Sequence, residues 1–517
     1  MKKHNIIKVV LITILVGLLL TWIIPAAYFS GEVVDQGRIQ MGIFDLFNYP
    51  ATAISYFGYI SLYVLAIAVL YGVLSKVEAY SVMVDKLAKK FTSNKALVIS
   101  VMIALIAIIN SVIGVQIVFL VFLPMLVSII IKMGYDKMVA ALTLVGSILV
   151  GVAGTTLATQ NNSMILSSLS IDLYDEIYIK IIVLVVGIAL LIVNTLLYAK
   201  TVKPVVKKIK VEDKKVAEAK TVRTEVSTKK PVVKKTATKK PAAKKTTTKK
   251  TTTKKSTNLA AAKASDVILA KGGKKPNFIP LVVVFSILFI IMILSFISWM
   301  PAFKVDIFDK TLLAITSYEV EGFAIFAKLL GTINAFGNWA VAEFTTVVIL
   351  SALFIALLYK VKFNDVLDGI VEAGKKAIGP AIVVVMIYVV LVITTYHPFQ
   401  LTIYNFLLEL TSGFNVFTST VVAFIASILN VEPIYVFQSV LPYFASVVTE
   451  TEVYPIVGIL FQAIYGITML VAPTSVVLMG ILYYLDISYT KWLKTVWKLF
   501  VELLCAVIII VMILVMI

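Results

Sequence analysis

The feature that most constrains this chain is a pair of apolar segments of the wrong length. The first, "LVISVMIALIAIINSVIGVQIVFLVFLPMLVSIIIK", runs from Leu97 to Lys132. Two crossings of a bilayer need about 40 residues plus a turn, so the segment is too long to cross once and too short to cross twice. Asn110, Ser111 and Gly114 interrupt it, and Lys132 and Lys137 flank its end. This pattern predicts a re-entrant helical hairpin that enters and leaves on one face. The second, "FTSTVVAFIASILNVEPIYVFQSVLPYFASVVTETE", has the same character, with its break at Asn430–Pro433 and its end at Glu450 and Glu452.

Around these hairpins lie apolar runs of ordinary spanning length. The chain is 60% hydrophobic and 15% charged, against about 25% charged in a soluble domain. Backbone groups left unpaired in hydrocarbon are too costly for open structures, so the spans must be helices. The run Ile6–Phe29 is longer than a signal-peptide core and is read as a retained first span. Lys2, Lys3 and Lys8 place the N-terminus in the cytoplasm. Spans are expected near 51–74, 138–169, 177–198, 278–300, 340–359, 378–394 and 454–485, with a last one to the C-terminus. That makes about nine. The one cysteine, Cys505, excludes a disulfide framework.

The two halves repeat each other. Pro124 of "FLPMLVSII" matches Pro442 of "VLPYFASVV", and the same offset lays Gly154–Thr156 on Ala472–Thr474. A shorter offset then lays Asp172 on Asp486 and Lys180 on Lys494, and Asn110 corresponds to Asn430. Each half thus carries a broken hairpin followed by a broken span, and the flanking charges predict that the copies are inverted. Discontinuous helices in inverted repeats are a signature of secondary transporters. The interrupted ends present free N–H groups to carboxylates and free C=O groups to cations.

Three regions follow: an N-terminal membrane repeat, 1–202; a Lys/Thr/Pro-rich linker, 203–275; and a C-terminal membrane repeat, 276–517. The linker holds 24 basic and 5 acidic residues and so carries the chain's whole net charge of +19. It has too few large apolar side chains to offset the entropy of ordering, and is expected to be disordered and cytoplasmic. Anionic lipid headgroups are its expected partner. No aromatic residue interleaves with the lysines to stack on bases, so specific nucleic-acid recognition is not expected.

Two stretches, "IVFLVFLPMLVSIIIKMGYDKMVAAL" and "FQAIYGITMLVAPTSVVLMGILYYLDISYTKWLK", resemble the YfcC-like branch of the dicarboxylate anaerobic carrier (DcuC-type) family, within the ion-transporter superfamily. The likeness covers most of the chain outside the linker. It implies two hairpins meeting near the midplane, with the substrate between their tips and the broken spans. It also implies dicarboxylates, amino acids or related carboxylates as substrates, moved with Na⁺ or H⁺ or by exchange, and frequent homodimers. The tips here depart from the family's Gly/Ser-rich pattern, and the Lys/Thr linker is no family feature.

The candidate substrate- and ion-binding residues follow from the breaks. "GVAGTTLATQNNS" contributes Gly154, Thr155, Thr156, Thr159, Asn161, Asn162 and Ser163; "APTS" contributes Pro473, Thr474 and Ser475; the hairpin tips contribute Asn110, Ser111, Asn430 and Glu432. The bland alternatives are polar helix packing and N-capping. Glu432 would sit at depth, where a carboxylate serves a proton, a cation or a substrate ammonium. His397, Glu343 and Glu409 are assigned to the interface, as are the Tyr and Trp residues near span ends. No catalytic constellation, cofactor motif or resident metal site is legible. The expected protein is a multi-pass secondary transporter of a small carboxylate-bearing solute in a bacterial-type plasma (inner) membrane, a cation-coupled symporter or an exchanger. The rivals are an ion channel and a tether acting through the linker.

Overall fold

A computed structural model describes residues 3–172, 176–202, 276–411 and 413–516, so the linker expected at 203–275 lies outside the described residues. The first half runs α1 (Lys3–Ile23), a strand pair β1 (Ala26–Phe29) and β2 (Val33–Gly37), α2 (Ile43–Leu74), α3 (Glu78–Phe91), α4 (Lys95–Ile113), α5 (Leu123–Lys132), α6 (Lys137–Ala141), α7 (Ser147–Ala153), α8 (Thr159–Leu169) and α9 (Ile177–Thr201). The second half runs α10 (Ile279–Phe296), three short helices α11 (Trp299–Phe303), α12 (Ile307–Thr316) and α13 (Ile325–Leu330), then α14 (Val341–Leu358), α15 (Phe363–Tyr396), α16 (Gln400–Leu408), α17 (Val416–Leu429), α18 (Pro433–Val447), α19 (Tyr454–Met469), α20 (Val476–Leu485) and α21 (Tyr489–Met516).

Among the described residues, nine helices are long and apolar enough to cross a membrane. The number matches the expectation, but the membership differs at two places. Glu78–Ile113 qualifies as a single span. The basic stretch before it is no loop: α3 buries Met83, Val84 and Ala88 while Lys86, Lys89 and Lys90 stay exposed, and one 3₁₀ turn, Thr92–Asn94, carries it into α4. The expected crossing 138–169 is broken where the polar stretch lies: α6, a π-helical turn Leu142–Gly146 and α7 run on as one helix, Lys137–Ala153, which stops before α8, and neither part is long enough to count as a span alone. The expected span 378–394 is the inner part of α15, which begins fifteen residues earlier on a charged surface turn.

Both turned-back segments begin and end in one place. A Cβ on Gly134 would lie 3.2 Å from the Lys95 ammonium, and Lys132 pairs with Asp85 of α3. In the second segment, a Cβ on Gly413 would lie 2.6 Å from Glu450 Oε1. At the first tip, Gly114 ends α4 in the left-handed conformation, φ 74°; at the second, Pro433 opens α18 in the position where a missing N–H costs nothing.

The halves interleave. α2 packs along α15, α7 against α19, α9 against α21 and α1 against α15. Gly466 of α19 comes so close to α7 that a Cβ there would meet the Ala153 nitrogen at 2.3 Å. Together the halves form one compact unit.

Candidate functional site

A helix interrupted inside a bilayer leaves backbone groups that only protein can satisfy. The first break, between α7 and α8, is tied to the first tip. Thr156 N donates to the Ser111 carbonyl at 2.9 Å. Ser111 Oγ donates to the Gly154 carbonyl at 2.8 Å and lies 2.9 Å from Thr156 Oγ1. The Thr155 carbonyl accepts Gln462 Nε2 of α19 at 2.7 Å. The second break, between α19 and α20, repeats the scheme. Thr474 Oγ1 donates to the Ile428 carbonyl at the end of α17 at 2.8 Å, and Ser475 caps α20 through Leu478 N. Asn430 Nδ2 donates to Ala426 O at 2.9 Å and to Gln400 Oε1 at 3.1 Å.

One hydroxyl joins the two tips. Tyr465 OH, from α19, donates to the Val431 carbonyl at 2.7 Å and accepts Gln116 Nε2 at 3.0 Å. Gln116 belongs to the first tip and Val431 to the second.

Between the tips lies a cavity of about 440 Å³, within the ~300–1,000 Å³ typical of small-molecule sites. The first tip (113–117), the start of α8 (Asn161, Ser163, Met164), the second tip (431–434), Tyr59 and Ile60 of α2, Tyr388 of α15 and Val476 of α20 line it. Segments 296–298 and 337–341 complete the wall. Glu432 is its sole carboxylate, and no Lys, Arg or His stands on the wall among the described residues. The Tyr388 hydroxyl donates to Glu432 Oε1, and the Tyr388 ring stacks on Phe57 at 4.4 Å. Asn161 is 4% exposed, and its Nδ2 has no hydrogen-bond partner among the described residues. A second cavity, about 300 Å³, lies between α2, α15, α20 and the stretch 117–124. Ile60, Ile117 and Val476 line both cavities and stand between them.

Of the sequence-predicted residues, Asn161, Ser163 and Glu432 line the first cavity. Asn110, Ser111, Gly154, Thr155, Thr156, Asn430, Thr474 and Ser475 are buried behind it as the frame of tips and breaks. Asn110 caps nothing; it sits in the last turn of α4, its Nδ2 on Ile106 O at 2.8 Å. Asn162 turns to Lys180, and Pro473 is half-buried within the second break. Thr159 opens α8, and its side chain lies outside the description. His397 is buried: Nδ1 donates to the Ile39 carbonyl at 2.6 Å, so Nε2 is left to accept the Tyr49 hydroxyl at 2.7 Å. Glu343 is half-buried and caps α14 through Ala340 N, and Glu409 holds Asn405.

Gln116, Tyr388, Gln462, Tyr465 and Lys180 were not singled out by sequence. Assigning Tyr residues by default to the membrane interface hides Tyr388 and Tyr465, which are fully buried. The usable signal was position: Tyr465 lies in the last turns before a break, and Gln116 lies two residues beyond the tip glycine. Among the described residues no cluster of three or more His, Cys, Asp or Glu could hold a metal ion.

The family model described as C4-dicarboxylate anaerobic carrier matches residues 4–238 and 232–516. The chain belongs to that family. It is accordingly an integral membrane protein of a carrier family, with nine candidate spans among its described residues. No curated protein matches the sequence. Among solved structures, the YdaH transporter of Alcanivorax borkumensis aligns over 98% of this chain and 97% of its own, at 12% identity and a TM-score of 0.36. A likeness of that size does not define a shared fold.

Proposed function

We propose that this carrier moves a small amino acid, a solute with both an ammonium and a carboxylate, by alternating access between two inverted halves. The observation that carries the reading is Glu432: among the described residues it is the one charged side chain on the cavity where both tips meet. A half-buried carboxylate on an otherwise uncharged wall is matched by a cation or a proton, and a substrate ammonium supplies one. The substrate carboxylate has its own donors across the cavity: Asn161 Nδ2, which has no partner among the described residues, and the opening turn of α8, where free N–H groups favour anions. When the substrate leaves, a proton or coupling cation replaces the ammonium on Glu432, which links transport to an ion or to counter-exchange. Ile60, Ile117 and Val476 form the apolar partition that opens when the site turns to the other cavity. In this reading the N-terminus and the basic segments face the cytoplasm of a bacterial-type inner membrane.

The family's description favours a second reading, a C4-dicarboxylate. A dianion would meet no fixed positive charge on the wall and would face Glu432, which would have to be protonated first. Proteoliposome uptake decides between the two, with amino acids and C4-dicarboxylates offered singly and in competition under imposed Na⁺ or pH gradients. Amino-acid accumulation that Glu432→Gln abolishes is the expected result. Dicarboxylate uptake that amino acids do not inhibit overturns it.

A further inference from the structure

Lys180 is 1% exposed, on the first turn of α9. Its ammonium lies 3.0 Å from Asn162 Oδ1 and 3.4 Å from the Thr156 carbonyl. It is absent from the wall of either cavity. The helix that carries it packs directly on the break: a Cβ on Gly154 would lie 2.6–2.9 Å from Leu184 atoms, one turn along α9 from Lys180. Both of these contacts are with oxygen, one three residues past the end of α7 and one on α8, and the carboxylates of Asp172 and Glu176 lie near enough to favour the ammonium. Such an oxygen set, in the gap that follows a half-helix C-terminus, is what a hard cation seeks.

Among the described residues the second break carries no such charge. There the indole of buried Trp492 donates to the Leu470 carbonyl at 2.7 Å, and the Tyr489 hydroxyl donates to the Val471 carbonyl. Lys494, the sequence counterpart of Lys180, is exposed. One break is thus met by a lysine Nζ and the other by neutral donors.

We infer that the Lys180 ammonium is a resident cation: it fills the position at the first break that would otherwise take a mobile coupling ion, so this half binds no Na⁺. The inference rests on the reading of the breaks as carrier machinery, but its test does not need the substrate. Thermal unfolding of the purified protein is followed in NaCl against choline chloride at equal ionic strength, without solute. The wild type should unfold at the same temperature in both. Lys180→Ala should unfold earlier in choline chloride and regain stability with NaCl or methylammonium chloride. Uptake by Lys180→Ala should fall about tenfold or more, as for loss of a charge-assisted hydrogen bond, and recover with the same cations. Asn162→Asp keeps the lysine and gives it a carboxylate partner, so it should fold even where Lys180→Ala does not, and it should remain indifferent to Na⁺. Saturable Na⁺ protection of the wild type or of Asn162→Asp overturns the inference, as does a Lys180→Ala protein that neither cation stabilises.

Discussion

Glu432 and Tyr388 form the smallest unit of the site. The phenol is held flat on Phe57, so Tyr388→Phe removes a hydroxyl and leaves the packing. A hydrogen bond to a charged acceptor contributes about 1.5–3 kcal/mol. Tyr388→Phe should therefore weaken substrate half-saturation about tenfold or more while the unfolding temperature in detergent stays near that of the wild type. Unchanged half-saturation would detach Tyr388 from binding. Gly114 makes a different claim. Its φ of 74° is strained for any L side chain, and a Cβ would stand 2.2 Å from Ala158 Cβ, so tip and break cannot both keep their places. Gly114→Ala should cost at least about 1–2 kcal/mol in the left-handed conformation alone, visible as earlier unfolding and impaired uptake. At this scale the sequence told a good deal, because Asn, Thr and Ser in an apolar run betray a break. It could not tell which of them face the cavity. Asn161 and Asn162 are neighbours, yet a helix turns successive side chains about 100° apart, one to the cavity and one to Lys180.

The elements were legible where charge or a helix breaker marked them. Gly114 and Pro433 mark the tips, and "GTT" and "APTS" mark the breaks. The union of α3 with α4 was not legible: "FTSNK" carries the residues of a loop, and only the buried stripe of α3 makes it a helix docked beside α5. Tertiary packing overrode local propensity there. The contact between tips was also hidden, because it runs through a third element. Tyr465 of α19 holds Gln116 and Val431 at once, so movement of either hairpin must break or carry this bond. Tyr465→Phe should free the tips from each other. Cysteines placed at Val115 and Ile434, with Cys505 replaced, would report it: their cross-linking should depend less on substrate in Tyr465→Phe than in the parent. Equal substrate dependence in both would leave the tyrosine a packing residue.

At the scale of the molecule, the question is what holds the halves together. The linker joins them in sequence, but the partnership visible among the described residues is helical. α2 lies along α15, α7 crosses α19, and α9 lies against α21, so each half buries apolar faces that it cannot cover alone. A tether raises the effective concentration of one half near the other; it adds no contact of its own. Within a membrane both halves are already confined to two dimensions. Residues 1–205 and 275–517, produced as separate chains in one cell, should therefore assemble, co-purify through a tag on one of them, and transport. The basic segment contributes 24 of the 47 Lys and Arg residues, and each lysine near an anionic surface adds about 1 kcal/mol of attraction. Its loss should thus be felt as weaker retention of anionic lipid rather than as loss of uptake. A pair that co-purifies but does not transport, rescued by a neutral linker of the same length, would assign the linker a purely geometric part. A pair rescued only by the lysine-rich sequence would put its charge inside the transport cycle, against the expectation argued here.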